Sequence, residues 1–153
     1  MRNHRGFTLI ELMVVIVVIG ILVMISLANY IGMQDRARIA QVRETMHVVQ
    51  LTTEAFSTRN NGMYPANGAA TTADGGLTFA LMLPGTAMPL NPFTQAATVL
   101  DWTNVLGTPP ATDPAGGISL NVVQTTAGGA YDRYDIVGEN DVGVPLAQVL
   151  RNY

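Results

Sequence analysis

The chain begins with a short polar head, residues 1–6, and then turns apolar with few interruptions. From Phe7 to Ala28 only Thr8, Glu11, Gly20 and Ser26 break the hydrophobic run. As a helix this stretch would rise roughly 33 Å at 1.5 Å per residue, enough to cross the hydrocarbon core of a bilayer. Residues 29–59 keep the helical period but change character. Ile39, Val42, Met46, Val49, Thr53 and Phe56 recur at alternating steps of three and four, while Arg36, Arg43, Gln50 and Glu54 fall off that line. That is the pattern of an amphipathic helix with one face to be covered. No proline separates the two stretches, and Asn60-Asn61-Gly62 offers a stop, because asparagine and glycine tolerate the left-handed backbone of a helix end. One helix through residue 59 is expected, half in lipid and half laid over something.

Residues 60–153 read as a head of different composition. "YPANGAATTADGG", "LPGTAMPLNPFT" and "TPPATDPAGG" are loop and turn text. Between them, residues 77–83 suit a short helix and 98–102 a short strand. "ISLNVV" alternates Ile118, Leu120 and Val122 on one face, "AGGA" turns, and "YDRYDIV" follows, which predicts an antiparallel hairpin. Its apolar face needs a cover, and the stripe from Ile39 to Phe56 can supply it. The fold class expected is α+β: one long N-terminal helix, a membrane half plus an amphipathic half, packed on a small antiparallel C-terminal sheet. The organisation is then a leader-like segment 1–6, a membrane helix 7–28, an amphipathic half 29–59 and a head 60–153.

Composition narrows the function classes. Eight basic residues, all arginine, face eleven acids, so no overall basic field draws nucleic acid. The absence of cysteine removes disulfides, thiolate metal sites and cysteine catalysis together. Ser26, Ser57 and Ser119 have no histidine and acid at a spacing that marks a nucleophile. The histidines are His4, in the polar N-terminal segment, and His47; were that segment removed, His47 alone would be too few for a two-histidine site. Catalysis is not expected.

Glu11 is the conspicuous residue of the first helix. A carboxylate there costs about 2.5–3.5 kcal/mol at mid-bilayer and somewhat less near an end, so it needs a partner or a route to the headgroups. Three readings of the N-terminus compete. A secretory signal would use Arg2 and Arg5, the apolar run and cleavage after Ala28. A plain anchor would hold a monomeric binding domain at the membrane; Arg36, Arg38 and Arg43 beyond the span leave its orientation open against Arg2 and Arg5.

The third reading rests on a resemblance. "RGFTLIELMVVIVVIGIL", with Gly6, then Phe7, then Thr8-Leu9-Ile10-Glu11, resembles the processing signal and helix of bacterial type IV pilins and type II secretion pseudopilins. The resemblance implies that a prepilin peptidase cuts between Gly6 and Phe7 and methylates the new amine of Phe7. It implies an inner-membrane precursor, an inner-membrane assembly platform, and a helical homopolymer that is a surface pilus or a periplasmic pseudopilus. It also implies that Glu11 meets the N-terminal amine of Phe7 in a neighbouring copy. Proline, frequent near the position of Ala28 in that family, is missing here, so less of a fixed bend is expected. Gly20 is a place where the helix could loosen.

"NNGMYP", "LNPFT" and "YDIVGENDVG" resemble G-type pseudopilins more weakly. That likeness implies calcium in the terminal loop, where Asp135, Glu139, Asn140 and Asp141 are hard oxygen donors; a solvated hairpin turn is the alternative. Trp102, Tyr131 and Tyr134 fit a carbohydrate or adhesion surface, or core and cross-strand pairs. Arg36, Arg38 and Arg43 fit phosphate contacts or salt contacts between subunits equally.

Overall fold

A computed structural model describes residues 6–111, 115–127 and 129–152. Leader residues 1–5, with Arg2, His4 and Arg5, lie outside the described residues, as do residues 112–114 of the proline-rich loop and Gly128 of the "AGGA" turn. Helix α1 (Leu9–Arg59) is unbroken through Gly20. The chain forms two compact units, one ending at Ala37 and the other beginning at Arg38.

In the first unit, α1 buries almost nothing. Every large apolar side chain from Phe7 to Met33 is exposed, from 84 % at Phe7 to 47 % at Val15. By length and composition this helix can cross a membrane. The β-branched run from Val14 to Ile19 would read as a strand in water. In hydrocarbon, where each backbone N–H and C=O must be satisfied within its own segment, a helix is the form open to a single span.

The second unit holds the core. Val42, Met46, Val49, Thr53 and Phe56 are each at most 1 % exposed, and Ile39 packs against the same cluster. The stripe seen in the sequence is therefore the buried face of α1. Thr52 and Thr53 sit in it without stranding a hydroxyl, because each donates to the carbonyl four residues back, Val48 O and Val49 O, at 2.8 Å. The helix ends where "NNG" falls: Gly62 N donates to Ser57 O at 2.9 Å, with Asn61 and Gly62 at φ 55° and 82°.

Four strands follow, β1 (Leu100–Thr103), β2 (Ile118–Gln124), β3 (Tyr131–Glu139) and β4 (Pro145–Arg151), in the order β1-β2-β3-β4. The expected hairpin is β2–β3, antiparallel with Leu120 opposite Ile136 and Val122 opposite Tyr134. Two features differ from the expectation. Strand β1 joins parallel to β2, the long loop after Thr103 serving as the crossover that parallel pairing requires, so the sheet is mixed. Strand β4 pairs antiparallel with β3. Its leading proline reads as a breaker, yet proline is tolerated at the first residue of an edge strand. The short helix α2 (Phe79–Met82) lies inside the expected 77–83.

Both faces of the sheet are covered. Leu120, Ile136 and Tyr134 join α1 in the core. On the opposite face Ser119, Asn121 and Asp135 are fully buried beneath the loop after β1. Ser119 Oγ donates to Thr108 O at 2.6 Å, Asn121 Nδ2 to Asp135 Oδ1 at 2.7 Å, and Gly107 N to Asp135 Oδ2 at 2.7 Å. This polar layer explains why the alternating polar positions of "ISLNVV" are not a solvated face.

Candidate assembly site

Thr8 directly precedes α1 and Glu11 is the third residue inside it, the spacing of a capping box. The backbone N–H and the hydroxyl of Thr8 both donate to Glu11 Oε2 at 2.8 Å, and Glu11 N donates back to Thr8 Oγ1 at 3.3 Å. Two backbone donors that a helix start leaves orphaned are thereby satisfied. Within one chain, then, the carboxylate has a partner that the reading of Glu11 as a lone charge overlooked. The signal was present as Thr-x-x-Glu ahead of an apolar run. Among the described residues, Glu11 Oε1 accepts no hydrogen bond and stays open to an incoming donor. Gly6 and Phe7 are exposed, with nothing within 4 Å of the position a side chain on Gly6 would take, so a peptidase meets no obstruction from the described chain.

Among the described residues, the acidic side chains of the head are dispersed. Asp135 is committed to Gly107 N and Asn121 Nδ2, with Arg151 Nε at 3.9 Å. Asn140 Oδ1 accepts from Val142 N at 3.0 Å and Val144 N at 2.9 Å, holding its own turn. Asp141 is exposed. Glu139 is 3 % exposed and its Oε2 has no hydrogen-bond partner. Four positions along a strand put Asp135 and Glu139 roughly 13 Å apart, too far for one calcium ion with oxygen ligands at about 2.3–2.6 Å. Among the described residues, no group of three metal-capable His, Cys, Asp or Glu side chains exists.

Burial and nearby Asp101 both push the Glu139 carboxyl above its ordinary 4.5. His47 is exposed, its Nδ1 at 3.3 Å from Gln50 Oε1. Arg38 lies over the ring of Phe93, 5.8 Å from its centroid, and Arg36 and Arg43 are exposed. Tyr134 is core, whereas Trp102 and Tyr131 are half-buried.

Residues 1–27 match the family model described as the prokaryotic N-terminal methylation motif. The chain is 46 % identical over 76 residues to a fimbrial protein of Moraxella nonliquefaciens, covering 49 % of this chain and 47 % of that one. It is 38 % identical over 54 residues to the type IV major pilin protein PilA of Myxococcus xanthus, 35 % of this chain and 24 % of that one. To the type IV wide pilus major component PilA4 of Thermus thermophilus it is 37 % identical over 70 residues, 46 % and 53 % of the two chains. The chain thus spans about half or less of the length of these relatives. No solved structure matches it.

Proposed function

We propose that this chain, which carries the N-terminal processing motif of the type IV pilin superfamily, is the structural subunit of a self-assembling bacterial surface filament. The precursor sits in the inner membrane through the apolar half of α1. Prepilin peptidase removes residues 1–6 and methylates Phe7, and an inner-membrane assembly platform feeds the subunit into a homopolymer built on its N-terminal helices. Its work is mechanical. The matched relatives reported above are all named as pilus or fimbrial proteins, which supports a surface pilus over a secretion pseudopilus.

One observation carries this reading: a half-satisfied carboxylate stands four residues after Phe7 in a helical stretch, Leu9 to Leu27, whose other large side chains are apolar and uncovered. Cleavage creates an ammonium at Phe7. Thr8 occupies Oε2 of Glu11, and the amine of a neighbouring copy can take Oε1. A paired charge in low dielectric recovers much of its desolvation cost, whereas an unpaired one does not. The pairing therefore favours one axial stagger of subunits and favours the filament over the lone subunit in lipid. N-terminal sequencing and intact mass of the mature protein test the reading. Methylated Phe7 is the expected first residue; a start at Met1 or Asn29 would replace the filament with an anchor or a conventional signal.

A further inference from the structure

The alternation of β1 that buries Leu100 against the core puts Trp102 on the same face, opposite Leu120 in the register. Here, at the end of β1, the cover gives out. A cavity of about 230 Å³ opens there, lined by Ala66, Trp102, Thr103, Asn104, Val122 and Tyr131. Its walls are fixed from behind. Phe79 holds the Trp102 ring in an edge contact at 5.2 Å and 86°, and Tyr64 N donates to Tyr131 O at 2.8 Å, drawing the segment that carries Ala66 alongside β3.

The chemistry of this lining is specific. Two half-buried aromatic rings border the cavity, and among the described residues Trp102 Nε1, the Asn104 amide and the Tyr131 hydroxyl make no hydrogen bond. An indole N–H donates, an amide does both, and a phenol does both. None of the six lining residues is charged, so neither an anion nor a cation finds a counter-charge. The volume lies below the usual range of about 300–1,000 Å³ for drug-sized ligands, which suits a single ring. A neutral ring with apolar C–H faces and hydroxyls around its rim matches all of these features.

We propose that this cavity binds one pyranose ring, its face against Trp102 or Tyr131 and its hydroxyls on Asn104, Tyr131 and the indole N–H. The site lies wholly in the unit that starts at Arg38 and needs no polymer, so it stands or falls separately from the filament reading.

Trp102 is the sole tryptophan, and its emission reports on the site directly. Full-length chain in a phosphocholine detergent, which carries no sugar, is titrated with methyl α-D-glucopyranoside, methyl β-D-galactopyranoside, N-acetyl-D-glucosamine and the trimer of the last. A saturable change with at least one, at a Kd on the order of 1–10 mM for so small a ligand, is expected. Tighter binding of the trimer than of its monomer assigns the site to a glycan chain, and equal binding to a single sugar.

Asn104→Ala and Tyr131→Phe, which alter side chains that make no hydrogen bond among the described residues, should each weaken binding at least threefold with an unchanged circular dichroism spectrum. A merely linear response to all four sugars would overturn the proposal. So would saturation that both variants leave unaltered.

Discussion

Tyr134 and Glu54 are 80 positions apart in the chain, yet the tyrosine hydroxyl donates to Glu54 Oε1 at 2.6 Å and ties β3 to α1. Tyr64 approaches the other oxygen at 3.4 Å and sets its ring against Tyr134 at 4.8 Å, so one carboxylate gathers two tyrosines. Burial and the Glu54 carboxylate both hold the Tyr134 hydroxyl well above its ordinary value, and it stays a donor across the physiological range. Tyr134→Phe removes this bond and little volume. The loss expected is about 1.5–3 kcal/mol in denaturant unfolding, the range for hydrogen bonds to charged groups. An unchanged midpoint would mean that the pair adds nothing to the docking of helix on strand.

Gly138 lies on β3 directly beneath two side chains of α1. A Cβ at this position would meet Met46 Sδ at 2.7 Å and Val42 Cγ1 at 3.1 Å. Gly138→Ala is therefore expected to cost about 1–3 kcal/mol through overpacking. Because methionine is adaptable, the double variant Gly138→Ala/Met46→Ala should be less destabilised than the sum of the single changes. Strict additivity in the double-mutant cycle would argue against direct contact.

Glu139 makes stability depend on pH in a definite sense. Its folded-state pKa is raised by desolvation and by Asp101 above the ordinary 4.5, so the folded chain binds more protons than the unfolded one across that window. The contribution of Glu139 is most favourable below about pH 4.5 and is lost as pH rises through the raised value. Asp132 acts oppositely: hydrogen bonding with Thr125 lowers its pKa from 3.8, and the stability it contributes is lost as pH falls below that range. Glu139→Gln should flatten the decline above pH 4.5 in urea midpoints measured from pH 4 to pH 8. A variant with the same slope as the parent chain would assign the decline to another group.

Thr8 should matter to assembly and not to cutting. Thr8→Ala removes a hydroxyl cap worth about 1 kcal/mol and leaves the Glu11 carboxylate held by the residue 8 backbone N–H alone, while Thr8→Ser keeps both hydroxyl contacts. Sedimented filament is expected to fall about fivefold for alanine and to hold for serine, with Phe7 the first residue in both. Full yield from the alanine variant would show that the cap has no part in presenting Glu11.

Sequence periodicity revealed the buried face of α1 residue by residue, because a helix that packs on one side must repeat its apolar positions at 3.6. The β2–β3 hairpin was legible for the matching reason at period two. What escaped was non-local. Nothing in "PLAQVLR" announces an edge strand, since its pairing partner β3 decides it. The parallel approach of β1 depends on a crossover loop whose anchors, Ser119, Asn121 and Asp135, look like solvent-facing positions until the loop covers them. At the N-terminus the reverse held. The Thr8–Glu11 capping box is local and written in the sequence as Thr-x-x-Glu, the partner of Glu11 within its own chain standing only three positions away.

In the proposed filament the Glu11 carboxylate meets the methylated amine of Phe7 in an adjoining subunit, and a high-resolution cryo-EM map of the assembled polymer would resolve both groups. A carboxylate oxygen within about 4 Å of that amine, the reach of an ion pair, is the expected result. A carboxylate bonded to its own Thr8 alone, with the neighbour's amine elsewhere, would contradict it.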